Sequence, residues 1–181
     1  MKRLLPLIVL AAAACSDTVT SPTTLRSSPL PLVANMALNG PEGAHLVTGT
    51  PQPACAASGI TVTCNSFEIA GVGNTNAAAN LTATFSATVD CFNPGNGNKN
   101  NPIESHTTTF SVTRSTGSIS PKNGRLTIPS LSVSGSAAPP QVCPNPNWTP
   151  VIRGGSVMLQ SFRFDVTFVG FSEPFILLTG P

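Results

Sequence analysis

The stretch Leu81-Thr82-Ala83-Thr84-Phe85-Ser86-Ala87-Thr88-Val89-Asp90-Cys91 constrains this chain more than any other. Apolar and polar residues alternate along all of it. Leu, Ala, Phe, Ala, Val and Cys form one set; Thr, Thr, Ser, Thr and Asp form the other. Side chains point alternately to the two faces of a strand, so this period of two sorts into one dry and one wet face. One-sided burial of this kind belongs to antiparallel sheets, because parallel sheets are covered on both faces.

The same period recurs. Ile60, Val62 and Cys64 alternate with Thr61 and Thr63. Thr108, Phe110 and Val112 alternate with Thr107, Thr109, Ser111 and Thr113. Leu126 and Ile128, Leu131 and Val133, and Phe162, Phe164, Val166 and Phe168 repeat it, and Phe175-Ile176-Leu177-Leu178 reads as a short core strand. No stretch carries a helical period. Gly71-Val72-Gly73-Asn74, Lys122-Asn123-Gly124 and Gly154-Gly155 are turn signals between the runs. Asn123-Gly124 predicts a tight hairpin joining a strand that ends near Ile119 to one that begins near Arg125. Together these predict an all-β fold, an antiparallel Ig-like β-sandwich of about seven to nine strands with two disulfides.

The N-terminus predicts the compartment. Lys2 and Arg3 precede the apolar run Leu4–Leu10, and small residues lead to Cys15. This is the layout of a secretory signal peptide, and the apolar run falls short of the roughly 20 residues that cross a bilayer. Residues 16 to about 52 are rich in Ser, Thr and Pro, which predicts an extended tether. The expected organisation is a signal peptide over 1–14, a tether over 15–52 and a β-sandwich domain over 53–181.

Ala12-Ala13-Ala14-Cys15 resembles the lipobox of bacterial lipoprotein precursors, with Ala12 where leucine is commonest. The resemblance implies that Cys15 is lipidated and becomes the first mature residue. With Ser16 after it rather than aspartate, it implies an exported, membrane-anchored protein at the outer membrane or cell surface. Ordinary cleavage near Ala14, giving a soluble secreted protein, is the alternative. Residues 55–170 also loosely resemble uncharacterised small exported bacterial proteins, through Phe67-Glu68-Ile69-Ala70-Gly71-Val72-Gly73, Cys91-Phe92-Asn93-Pro94-Gly95 and Cys143-Pro144. That resemblance carries no functional residue across.

Cysteine parity agrees with an anchor. Of the five cysteines, lipid on Cys15 leaves Cys55, Cys64, Cys91 and Cys143 to pair. Cys55–Cys64 with Cys91–Cys143 is the preferred pairing. The first two are close in sequence, with Ser58-Gly59 between them to reverse the chain. The second two share the pattern Cys-x-Asn-Pro, in Cys91-Phe92-Asn93-Pro94 and Cys143-Pro144-Asn145-Pro146. Cys64–Cys91 with Cys55–Cys143 remains open. Spacings of the Cys-x-x-Cys kind that zinc requires do not occur, and no metal or other cofactor is expected.

Charged residues are only 9% of the chain. Once Lys2 and Arg3 leave with the signal peptide, seven cations face seven acids. There is no basic stripe of the sort that releases counterions from nucleic acid. No nucleophile motif, phosphate loop or metalloprotease motif is present, so no catalytic residue is assigned. In Glu104-Ser105-His106, neighbours on a strand point to opposite faces, so Ser105 and His106 should not meet. Asp90 and Glu104 are the one candidate carboxylate pair for a glycan hydrolase, or for oxygen ligands to calcium. Asp90 is expected on a solvated strand face.

The segment Asn93-Pro94-Gly95-Asn96-Gly97-Asn98-Lys99-Asn100-Asn101-Pro102 is the most distinctive polar one. Asn93, Asn96, Asn98 and Asn100, with Trp148 in Pro146-Asn147-Trp148-Thr149-Pro150, form the candidate contact loops. The leading expectation is a non-catalytic binding or structural module of the cell envelope. Its partner would be an envelope protein or glycan. The rivals are an envelope-polymer hydrolase and a secreted inhibitor or effector.

Overall fold

A computed structural model describes residues 39–96, 101–136 and 141–181. Eleven strands follow one another: β1 His45–Leu46, β2 Cys55–Ser58, β3 Thr61–Cys64, β4 Phe67–Ala70, β5 Ala77–Phe92, β6 Glu104–Ser115, β7 Arg125–Ile128, β8 Leu131–Ser134, β9 Thr149–Ile152, β10 Met158–Phe168 and β11 Ile176–Gly180. Every pairing is antiparallel. No α-helix occurs among the described residues, only a single 3-10 turn at Pro94–Asn96.

The strand count exceeds the expected seven to nine because three long runs are each interrupted. β3 and β4 run alongside β8 and β7. Cys64 faces Leu131 and Phe67 faces Ile128, so each strand advances three residues across the interruption and the register never slips. Pro129 lies inside that interval and has no N–H to give to a ladder. One broken ribbon therefore counts as two pairs of short strands, edged by β2 at one end and β1 at the other. β9 and β10 likewise share one flank of β5, separated by the turn at 153–157.

The second sheet runs β11-β10-β5-β6. Its inner face is built by size complementarity. Phe162, Val166 and Phe168 of β10 stand beside Ala83, Ala79 and Ala77 of β5, so a larger side chain meets a small one at three of the four inner positions; at the fourth Phe164 stands beside Leu81. Those residues pack against Val62, Phe67, Ile69, Leu126 and Ile128 of the broken ribbon, all buried. Phe67 meets Phe164 edge-on at 6.2 Å between the two sheets. Each large apolar side chain buried here contributes about 1.5–3 kcal/mol.

Turn chemistry closes the hairpins as the residues require. Asn123 and Gly124 both have positive φ, 53° and 72°, which is the type I′ geometry that suits the strand twist. Lys122 and Arg125 exchange both backbone hydrogen bonds across it. Ile119, however, pairs with Ala77 at the start of β5 instead of continuing that hairpin. At the β2–β3 turn only the first residue, Gly59, has positive φ, at 57°.

The folded region also begins earlier than Pro53. Residues 40–47, assigned above to the tether, pack onto the fold. Gly40 sits against Phe168 and Phe175, and β1 pairs with β4. Gly71 has φ of 73°, and a Cβ there would lie 2.1 Å from the Gly43 carbonyl oxygen, so only glycine fits. The residues expected to form the signal peptide, Cys15 and the part of the expected tether up to residue 38 lie outside the described residues.

Candidate functional site

The candidate site occupies the C-terminal end of β5. Up to Ser86, β5 is flanked by β10; from Val89 to Phe92 it is flanked by β9. At the junction Thr88 would lose its partners. Arg153 N–H donates to the Thr88 carbonyl at 2.8 Å, and the Thr88 N–H donates to the Ser156 hydroxyl at 3.1 Å. The backbone is thereby satisfied where one strand hands over to the next, and the same loop brings the Arg153 side chain over the sheet.

Arg153 covers Asp90. Its Nε donates to Oδ2 at 3.1 Å and one Nη donates to Oδ1 at 2.7 Å, a two-point contact. Ser105, directly opposite on β6, donates its hydroxyl to Asp90 Oδ1 at 2.6 Å and accepts from Arg153 at 3.0 Å. Asp90 is the one buried polar residue of the described part of the chain. The expectation of a solvated Asp90 is therefore corrected: it lies on the outer face, but a cation from the β9–β10 connection shields it. The hydrogen bond from Arg153, and after it that from Ser105, hold the Asp90 carboxyl below the ordinary carboxylate range. Asp90 correspondingly raises the Arg153 guanidinium.

Glu104 stands opposite Cys91, one position along from Asp90 and Ser105. Adjacent strand positions face opposite sides, so Glu104 and Asp90 lie on different faces of the sheet. They form neither a hydrolytic pair nor a shared cation site. Glu104 bonds His106 on its own strand. His106 shares that face and Ser105 does not. His45 heads β1, its ring bonded to the Gly43 carbonyl at 2.7 Å.

The two candidate loops meet at this end. Disulfides join Cys55 to Cys64 and Cys91 to Cys143. Cys55 faces Cys64 directly across the β2–β3 hairpin. The second bridge ties the loop before β9 to the end of β5, where Phe92 pairs with Thr149. The repeated Cys-x-Asn-Pro pattern has a shared local geometry. Asn93 Oδ1 accepts the N–H of Gly95 and Asn145 Oδ1 accepts the N–H of Asn147, each at 2.9 Å and each two residues on. Each Asn-Pro thus makes the same side-chain-closed turn, two residues after a cysteine of the bridge.

Asn93 is exposed and Trp148 is half-buried, just ahead of β9. Asn96 lies in the 3-10 turn. Asn98 and Asn100 lie outside the described residues. Sequence reasoning missed Arg153 and the bond of Ser105 to Asp90. The one signal was Asp90 itself: a carboxylate on a central strand requires a cation or donors nearby once it is buried. No protein-family model, curated protein or solved structure matches this chain.

Proposed function

We propose that this protein is an exported, non-catalytic envelope module, anchored by lipid on Cys15. It contacts an envelope protein or glycan through the loop end formed by Asn93 and its neighbours with Pro144–Pro150. Two disulfides are consistent with export, since such bonds persist in oxidising compartments. The observation that carries the reading is the placement of the two ends. Gly40, next to the first described residue, packs on Phe168, which faces Ala77 at the first residue of β5. The bridged Asn-Pro turns sit past the last residue, Phe92. Sixteen residues of β5 separate them, roughly 50 Å at the strand rise. A chain held by its N-terminus would present that loop end away from the membrane.

Two measurements test this. Mass spectrometry of the membrane fraction should find an acylated Cys15 as the first residue, and Cys15→Ala should move the protein to the soluble fraction. Photo-crosslinking on intact cells from positions 93 and 148 should capture one recurrent component, while a crosslinker at position 123, near Ala77, should not. Equal capture from both ends would remove the loop end as the contact surface. An unmodified Cys15 would remove the anchor.

A further inference from the structure

β6 is an edge strand, hydrogen-bonded to β5 alone. The pairing of Thr116 N–H with the Ala79 carbonyl sets the alternation along it. Even-numbered residues from 104 onward bond β5. The backbone N–H and C=O groups of Ser105, Thr107, Thr109, Ser111, Thr113 and Ser115 point off the edge. No backbone group of the described residues hydrogen-bonds to them. Other edges are short or carry proline: β1 has two residues, β7 and β8 flank Pro129, β2 follows Pro51 and Pro53, and Pro181 follows β11. β6 runs twelve residues with no proline and no charge from Thr107 to Thr113. Long uncharged edges template pairing with another strand unless something occupies them.

The sequence of β6 is complementary to itself in one register. We propose that two copies of this chain pair β6 to β6 in antiparallel fashion, about a two-fold axis through Thr109. Outward-pointing backbone groups then pair Thr109 with Thr109, Thr107 with Ser111 and Ser105 with Thr113 of the second copy. Every pair on the outer face is hydroxyl to hydroxyl. The same pairing already joins β5 to β6, where Thr82 meets Thr113 and Thr84 meets Ser111, each at 2.9 Å. On the other face Glu104 stands opposite Arg114 of the second copy, twice by symmetry. Arg114 makes no ion pair among the described residues. Half-buried Phe110 comes to lie opposite Thr108 of the second copy and loses its remaining exposure. Shifting the axis by one residue to Ser111's side of Thr109 sets His106 opposite Arg114. Shifting it the other way leaves Glu104 opposite Val112. Neither pairs the charges.

The test is disulfide crosslinking of the full-length chain on intact cells, read as a band of twice the chain's mass beyond the wild-type background. Thr109→Cys should crosslink to itself. Thr107→Cys and Ser111→Cys should crosslink when coexpressed and not singly. Thr109→Pro added to that pair should abolish the band. The Thr109 N–H points away from β5, so the substitution leaves the internal ladder intact. Arg114→Glu should lower the yield about tenfold, and Glu104→Arg with Arg114→Glu should restore it. No band from Thr109→Cys, or equal yields regardless of Thr109→Pro, would overturn the proposal. A band from Thr107→Cys alone would overturn the register. Capture of β6 by another protein, or protection of β6 amides in a monomer, would assign the edge to a different occupant and would equally overturn it.

Discussion

The two halves of β5 are one strand with one alternation, yet they are held by different physics. From Ala77 to Phe85 the inner face meets phenylalanines of β10 and the aliphatic residues of the facing ribbon. From Ala87 to Cys91 the inner residues are still fully buried, but they lie outside that main cluster. There β9 flanks the strand, the bridge to Cys143 ties its end and, on the outer face, Arg153 lies over Asp90. The first half is stabilised by apolar area and shape. The second half is closed by one covalent bond and one charge pair, the usual recourse where a small domain runs short of core. Alternation specifies which face is dry without specifying what dries it.

The sharpest way to separate the halves is to remove the anchor of each. Phe85 is fully buried, packs 5.7 Å from Phe110 and leaves no room for a Cβ on Gly135. Phe85→Ala should cost about 3–5 kcal/mol in denaturant unfolding and act on the whole domain. Replacing Cys91 and Cys143 together by Ser opens a connection spanning 52 residues. Chain entropy sets its cost at up to about 4 kcal/mol. The loss should be regional: hydrogen exchange should accelerate over 141–152 and the end of β5 while β10 and β11 stay protected. Uniform acceleration would show that the two halves unfold as one unit.

How much of this was legible follows the same division. The inner faces of β3, β5, β6, β7, β8 and β10 read directly from period two, because each is long enough, or apolar enough, to show it. β1 and β9 did not. His45–Leu46 is too short to have a period, and Thr149-Pro150-Val151-Ile152 carries a proline that argues against a strand. β9 exists because Pro150, opposite Cys91, is in an edge position where no N–H is missed. The disulfide pairing was legible through the Cys-x-Asn-Pro repeat, whose two turns share a geometry. The Arg153–Asp90 contact was not. It joins residues 63 apart through the irregular loop at 153–157, and no local pattern encodes that approach.

A smaller effect is expected at the end of the molecule nearest Ala77. Gly124 has φ of 72°, where an L side chain is strained. Its carbonyl also accepts the N–H of Val72 at 3.2 Å, joining two turns. Gly124→Ala should cost about 1–2 kcal/mol. Thermal unfolding should detect the loss, and exchange over 141–152 should be unchanged. Faster exchange at that far loop would show that the two ends of the molecule are coupled.

The smallest expected effect is the pH response of the second half. Asp90 has a depressed carboxyl pKa in the fold, first through Arg153 and then through Ser105. A depressed value means that folding favours the ionised form. The contribution is complete above the unfolded value of about 3.9 and is lost as pH falls through the lower folded value. Asp90→Asn removes this titration while leaving a side chain that still accepts from Arg153 or Ser105. Wild type should therefore be more stable than Asp90→Asn at neutral pH, and the difference should shrink as pH falls below about 4. Salt should shrink it at neutral pH too, because the Arg153 side chain is about half exposed, at 51%. Chemical unfolding of both proteins between pH 7 and 2 measures this. If the difference stayed constant, the buried hydrogen bonds to Asp90, and not its charge, would be what closes this end of the sheet.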